Sequence, residues 1–170
     1  MAAGSHVHRC AVLIDDDNVP SQFTGALLCY ASSLGRIDAL EMVANFASTS
    51  NSKWAVQMRE HRITGFQHYS ATTGKNTTDI VLSVRAMELL HTGHFDMYLL
   101  VSSDSDFSAL AHRLRRSGAS VHGIGSMSAA GQTTGLSPVS AALAPRSRTA
   151  VPGGNRWSSC RRRVDRQPPR

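Results

Sequence analysis

Tyr98 to Ser102 is a run of five residues, four of them bulky and apolar, that breaks into Ser103-Asp104-Ser105-Asp106. Apolar residues then resume at helical spacing with Phe107, Leu110, Ala111 and Leu114. A short apolar run flanked by polar residues is the signature of a buried parallel strand, and the resumed period that of an amphipathic helix. A strand is therefore expected to end here with two acids and three hydroxyls at its carboxyl end. Open α/β sheets hold their ligands at that end of the strands. Helix capping explains part of the pattern, with Ser103 or Asp104 as N-cap and Asp106 set against the helix dipole. It accounts for one acid well and for two only loosely.

A second unit has the same form. Ala11 to Asp15 (AVLID) is a short apolar run ending in Asp15-Asp16-Asp17-Asn18. Pro20 suits a first helical turn. Phe23, Ala26, Leu27, Tyr30 and Leu34 then trace an amphipathic helix, with Gly35 as its C′ residue. Between the two units, a strand is expected over 37–46, interrupted by Asp38 and Glu41. A short surface helix follows over 52–62, then a strand over 64–69. The polar loop from Ser70 to Asp79 leads into a helix whose apolar face is Ile80, Leu82, Val84, Met87 and Leu90. After the strand at 96–102 and a helix to about 117, Gly118 and a buried strand over 120–125 complete the alternation. Such an order implies a mostly parallel sheet with helices on both faces and right-handed crossovers. If the first and fourth strands are neighbours, both acidic loops open into one crevice, with Asp79 at a helix start on the same side.

Asp15, Asp79, Asp104 and Asp106 gathered in one crevice would repel one another and raise at least one pKa. A divalent cation resolves that conflict, and oxygen-only donors select Mg²⁺ or Mn²⁺ over zinc. A metal so held activates water and stabilises a phosphoryl oxygen, as in metal-dependent nucleases. Asn18 would reach the substrate through its amide, Lys75 would meet a phosphate, and Ser102 and Ser103 would hold the carboxylates in place. The plainer readings are a solvated loop for Asp16 and Asp17 and an exposed loop position for Lys75. The pair Asp15-x-Asp17, with Val19 two residues on, also has the spacing of a haloacid-dehalogenase-type phosphatase.

The net charge of +6 misleads, because it is unevenly placed. Residues 1–125 carry 10 Lys+Arg against 11 Asp+Glu, and residues 126–170 carry eight Arg against one acid. The expected organisation is a disordered leader over 1–10, a domain over 11–125 and a basic low-complexity tail over 126–170. That tail is expected to be disordered or read out of frame, and its arginines suit phosphate contacts. Three cysteines without metal-ligand spacing are expected to be reduced thiols of a cytoplasmic protein. No apolar stretch reaches transmembrane length.

The segments AVLIDDDNVP, GKNTTDIVLSVRAMELL and FDMYLLVSSDSDFSALAHRLRRSGASVHGIG together resemble the NYN domains of the LabA-like group, relatives of PIN-domain nucleases. The resemblance spans about residues 10–125. It implies a three-layer α/β/α Rossmann-like (PIN-like) sandwich and a metal-dependent ribonuclease acting on RNA, single-stranded by preference, with a homodimer allowed for. Carried across by motif, it implies catalytic and metal-holding roles for Asp15, Asp79, Asp104 and Asp106, with Asn18 beside Asp15; Asn18, Lys75 and Ser103 are the candidates for substrate contact. A non-catalytic RNA-binding module and the phosphatase are the alternatives.

Overall fold

A computed structural model of the chain describes residues 7–46, 52–67, 77–129 and 132–138. Its elements are β1 (Arg9–Asp15), α1 (Thr24–Leu34), β2 (Arg36–Ala44), α2 (Ser52–His61), β3 (Thr64–Gln67), α3 (Thr77–His91), β4 (Met97–Val101), α4 (Ser108–Arg116), β5 (Ser120–Ala129) and β6 (Gln132–Pro138). They build one six-stranded sheet in the order β3-β2-β1-β4-β5-β6. The first five strands of the chain are parallel, and β6 pairs antiparallel to β5. The strand order reverses between β1 and β4, so these neighbours flank the topological switch point.

Alternation along the central strands feeds two cores. Cys10, Val12 and Ile14 of β1, with Leu99 and Val101 of β4, pack on Leu27 and Ala31 of α1 and Trp54 of α2. Ala11, Leu13, Tyr98 and Leu100 pack on Leu82, Ala86 and Leu89 of α3 and Leu110, Ala111 and Leu114 of α4. Both faces are thus covered, giving the expected three-layer α/β sandwich. Every residue of β4 is buried, as a continuous apolar run in a parallel sheet requires.

Four expectations are corrected. The helix α3 turns inward a stripe that only partly overlaps the one anticipated, keeping Leu82 in the core and Met87 and Leu90 against it. Leu82, Ala86 and Leu89 are buried, whereas Ile80 is 64% and Val84 51% exposed. Both stripes have helical spacing, and the small Ala86 lets the helix sit close on the sheet. Trp54 makes α2 more than a surface helix, since its ring is buried in the core.

Gly35 does not adopt the left-handed C′ conformation; its φ is −179°. Glycine is required there because a Cβ would stand 2.5 Å from the His8 carbonyl oxygen. That same oxygen accepts the Arg36 N–H at 2.8 Å. Gly118, by contrast, ends α4 with φ +92°.

The domain boundary expected at residue 125 lies inside the sheet. The strand β5 continues to Ala129, and β6 pairs back along it from Ala129↔Gln132 to Ile124↔Pro138. An antiparallel edge strand is held by its backbone ladder and shows little apolar period, so composition alone hid it. Pro138 is tolerated at such an edge. The remainder of the expected tail and the expected leader to residue 6 lie outside the described residues. Cys10 is a buried free thiol whose pKa burial pushes up to about 12.

Candidate active site

Asp15 is the last residue of β1 and is fully buried. It points the same way as Ala11 and Leu13, toward the face that α3 and α4 cover. Ser102, immediately after β4, follows Tyr98 and Leu100 onto that face and is also buried. The register Ile14↔Val101 brings the two together. The Ser102 hydroxyl donates to Asp15 Oδ2 at 2.9 Å, and the Asn18 amide Nδ2 donates to the same oxygen at 2.5 Å. The first acidic loop therefore folds back on its own strand end through a 3₁₀ turn over Asp16–Asn18.

The second acidic loop is tied to the same hydroxyl. The Asp104 N–H donates to Ser102 Oγ at 3.1 Å, and Asp104 Oδ1 accepts the Asp106 N–H at 2.9 Å. Asp104 thus caps the 3₁₀ turn over Ser105–Phe107 that precedes α4, so capping and a site role coexist in one residue. Ser102 joins the two loops, a role shared between two serines in the sequence reading. Ser103, the serine expected to touch substrate, is exposed beside it.

Asp79 stands in the first turn of α3, on the face toward which Asp15 points. The β3–α3–β4 crossover starts that helix at the carboxyl end of the sheet. Asn18, expected to face substrate, instead holds Asp15. Lys75 lies outside the described residues. Asp106 is exposed and Asp104 partly so.

Among the described residues, no group of three or more His, Cys, Asp or Glu side chains is placed so that it could hold a metal ion. The donor types still fit a hard divalent cation, being all oxygen. Such an ion, Mg²⁺ above all, keeps several waters and needs only one or two protein carboxylates. Asp15 and Asp104, whose main-chain N–H is tied to Asp15 through the Ser102 hydroxyl, are the two candidates.

Sequence reasoning missed a second buried carboxylate. Glu41 of β2 is 7% exposed and receives Arg85 of α3 bidentately, Nε to Oε2 at 3.0 Å and Nη2 to Oε1 at 2.8 Å. The guanidinium lies 4.1 Å from the Phe66 ring centroid and also pairs with Glu88. This clamp fixes the rotation of α3 and with it the placement of Asp79. The signal was present in Glu41 itself, a charge inside an apolar strand that demanded a partner.

A parallel α/β sandwich with carboxylates at its switch point defines a Rossmann-like, PIN-like class of protein. The family model of the NYN domain matches residues 9–141, and the chain belongs to that family, part of the PIN-like nuclease superfamily. Among solved structures, a protein of unknown function from Vibrio parahaemolyticus RIMD 2210633 aligns with TM-score 0.52 and 18% identity, over 67% of this chain and 78% of that one. Formyltetrahydrofolate deformylase from Pseudomonas putida KT2440 aligns with TM-score 0.43 and 14% identity, over 76% of this chain and 42% of that one. The first shows a shared fold, and the second is too distant to bear on the site. No curated protein is significantly similar in sequence. Among the described residues, no helix is long and apolar enough to cross a membrane.

Proposed function

We propose that this protein is a divalent-metal-dependent endoribonuclease that cuts single-stranded RNA at the carboxyl ends of β1 and β4. The observation that carries this reading is the Asp15 carboxylate, buried at the switch point and held by Asn18 and Ser102. Both of those donors are neutral. They fix the orientation of the carboxylate, which suits a group that holds a cation.

Asp15 and Asp104 would hold Mg²⁺ or Mn²⁺, with Asp79 and Asp106 as the further carboxylates of the site. The ion, when bound, supplies a water of lowered pKa and neutralises charge on a phosphoryl oxygen. The chain's own part is positioning. Ser102 locks the two loops together, Asp104 holds the turn that aims Asp106, and the Arg85–Glu41 clamp sets α3 and Asp79. The phosphatase alternative is disfavoured, because the family model that matches this chain is that of the NYN domain.

A second reading is favoured by one observation: no three acids assemble into a metal group among the described residues. It is an RNA-binding module of the same fold without turnover. Incubating a labelled single-stranded RNA with the protein and Mn²⁺, beside EDTA and Asp104→Asn, separates the two. Cleavage abolished by EDTA and by the variant is expected of the nuclease. Intact RNA with a folded, RNA-binding protein would establish the module instead.

A further inference from the structure

The helix α4 leads directly away from the acidic site. From Phe107 to Gly125 the chain has three arginines and no acid, in a body (residues 1–125) where acids slightly outnumber bases. Leu110, Ala111 and Leu114 are buried, and His112, Arg113 and Arg116 are exposed on the opposite side. Spacings of three and four residues put these three on one stripe. Arg113 donates to the Ser117 hydroxyl, and Arg115 Nη2 donates to the Val121 carbonyl at 3.2 Å. The carboxylate pairs among the described residues are made by Arg9, Arg36 and Arg85, not by Arg113 or Arg116.

At the far end of the helix, a cleft of about 580 Å³ opens between the ends of α3 and α4. Arg113 lines it, together with His8, His91, Phe95, Asp96 and Ser117. The Asp96 carboxylate there is engaged by the Arg9 N–H at 2.9 Å. Arg113 stands roughly 10 Å along the helix axis from Asp106, at about 1.5 Å per residue. Among the described residues this basic stripe has no carboxylate partner. It joins an acidic site to a cleft walled by His8, His91 and Arg113 beside Asp96, a layout that suits single-stranded nucleic acid with its phosphates on the stripe.

We propose that the outer face of α4 is the path on which single-stranded RNA lies, its phosphates on Arg113 and Arg116, running from the acidic site to the cleft at the end of the helix. The inference takes its ligand from the ribonuclease reading, and it fails or stands separately from turnover.

The test uses the full chain in EDTA, so that nothing is cleaved, with a fluorescent single-stranded RNA titrated at several salt concentrations. Arg113→Ala/Arg116→Ala is compared with wild type and with Arg59→Ala, an exposed arginine on the other face of the sheet. The eight arginines of residues 126–170 are common to all three proteins. Losing two phosphate contacts should weaken binding on the order of tenfold and flatten the plot of log affinity against log salt by roughly 1.4. Arg59→Ala should bind as wild type does.

Equal affinity and equal slope in the double variant would overturn the path, and so would a wild-type protein that binds no RNA. Binding that depends on α4 in a protein unable to cut RNA with Mn²⁺ would uphold the path while the nuclease reading fell. Metal-dependent cutting with an unchanged affinity in the variant would do the reverse.

Discussion

Asp15 and Glu41 are both acids on central strands, both buried, and both face the helices α3 and α4. Their partners separate them. Glu41 is met by a guanidinium that forks across both its oxygens and packs on Phe66. Asp15 receives an amide and a hydroxyl at one oxygen. A carboxylate matched by a cation is neutralised and serves to hold two elements in register. The amide and the hydroxyl orient Asp15 at the end of β1, where the turn of Asp104 is tied to the same serine. Burial alone therefore says little about an acid's role; what donates to it says more.

The largest expected effect falls on activity. Asp15→Asn should abolish Mn²⁺-dependent RNA cleavage, yet leave the melting temperature unchanged or higher. The asparagine oxygen can still accept both bonds, and a buried charge has been removed. Ser102→Ala should lower activity by roughly 10- to 100-fold, as loss of a group orienting a ligand does. Single-turnover cleavage rates and thermal melts check both.

Glu41 should behave in the opposite sense. Arg85→Ala strands a buried carboxylate and should cost about 3 kcal/mol in urea unfolding, the lower end of the range because Arg85 is partly exposed. Replacing both partners with apolar residues should recover most of that loss. If Arg85→Ala left stability untouched, the contrast between the two acids would collapse.

Much of the sheet and of the candidate site was legible because it rests on local pattern. Two apolar runs ending in acids, each followed by a helical period, marked β1 and β4 and made their adjacency the condition for a single crevice, a condition the register of β1 on β4 meets. What stayed illegible depended on distant partners. Asp38 and Glu41 weakened the expectation of a strand at β2, and both are met by arginines, those of Asp38 coming from β1 and from β2 itself. Arg9 and Arg36 meet Asp38, and Arg85, 44 residues away, meets Glu41. The face of α3 was ambiguous because two stripes share its period. Gly35 answers a carbonyl that no local rule could place.

Smaller effects sharpen the contrast by adding polar groups of other kinds. The Tyr98 hydroxyl is buried with no hydrogen-bond partner among the described residues, and burial raises its pKa to about 12. Tyr98→Phe removes that unmet group and should stabilise the protein by about 1 kcal/mol in urea unfolding. A loss of stability would show that the hydroxyl is bonded after all.

His122 should give the smallest change. Burial, and then the charge of Arg115, hold its pKa below the ordinary 6.5. The unfolded chain therefore binds the proton first. The stability His122 contributes is present above about pH 6.5 and is lost as pH falls through its lower folded pKa. His122→Asn should flatten the acid limb of the melting temperature against pH and leave the neutral plateau in shape. An unchanged acid limb would assign that limb to other groups.

The most direct measurement sets the two acids side by side. Asp15→Asn and Glu41→Gln would each be assayed for Mn²⁺-dependent cleavage of single-stranded RNA and for thermal stability. The expected result is a stable, inactive Asp15→Asn protein and an active but destabilised Glu41→Gln protein at temperatures where it remains folded. A folded Asp15→Asn protein that cuts RNA at the wild-type rate would contradict the assignment of the site.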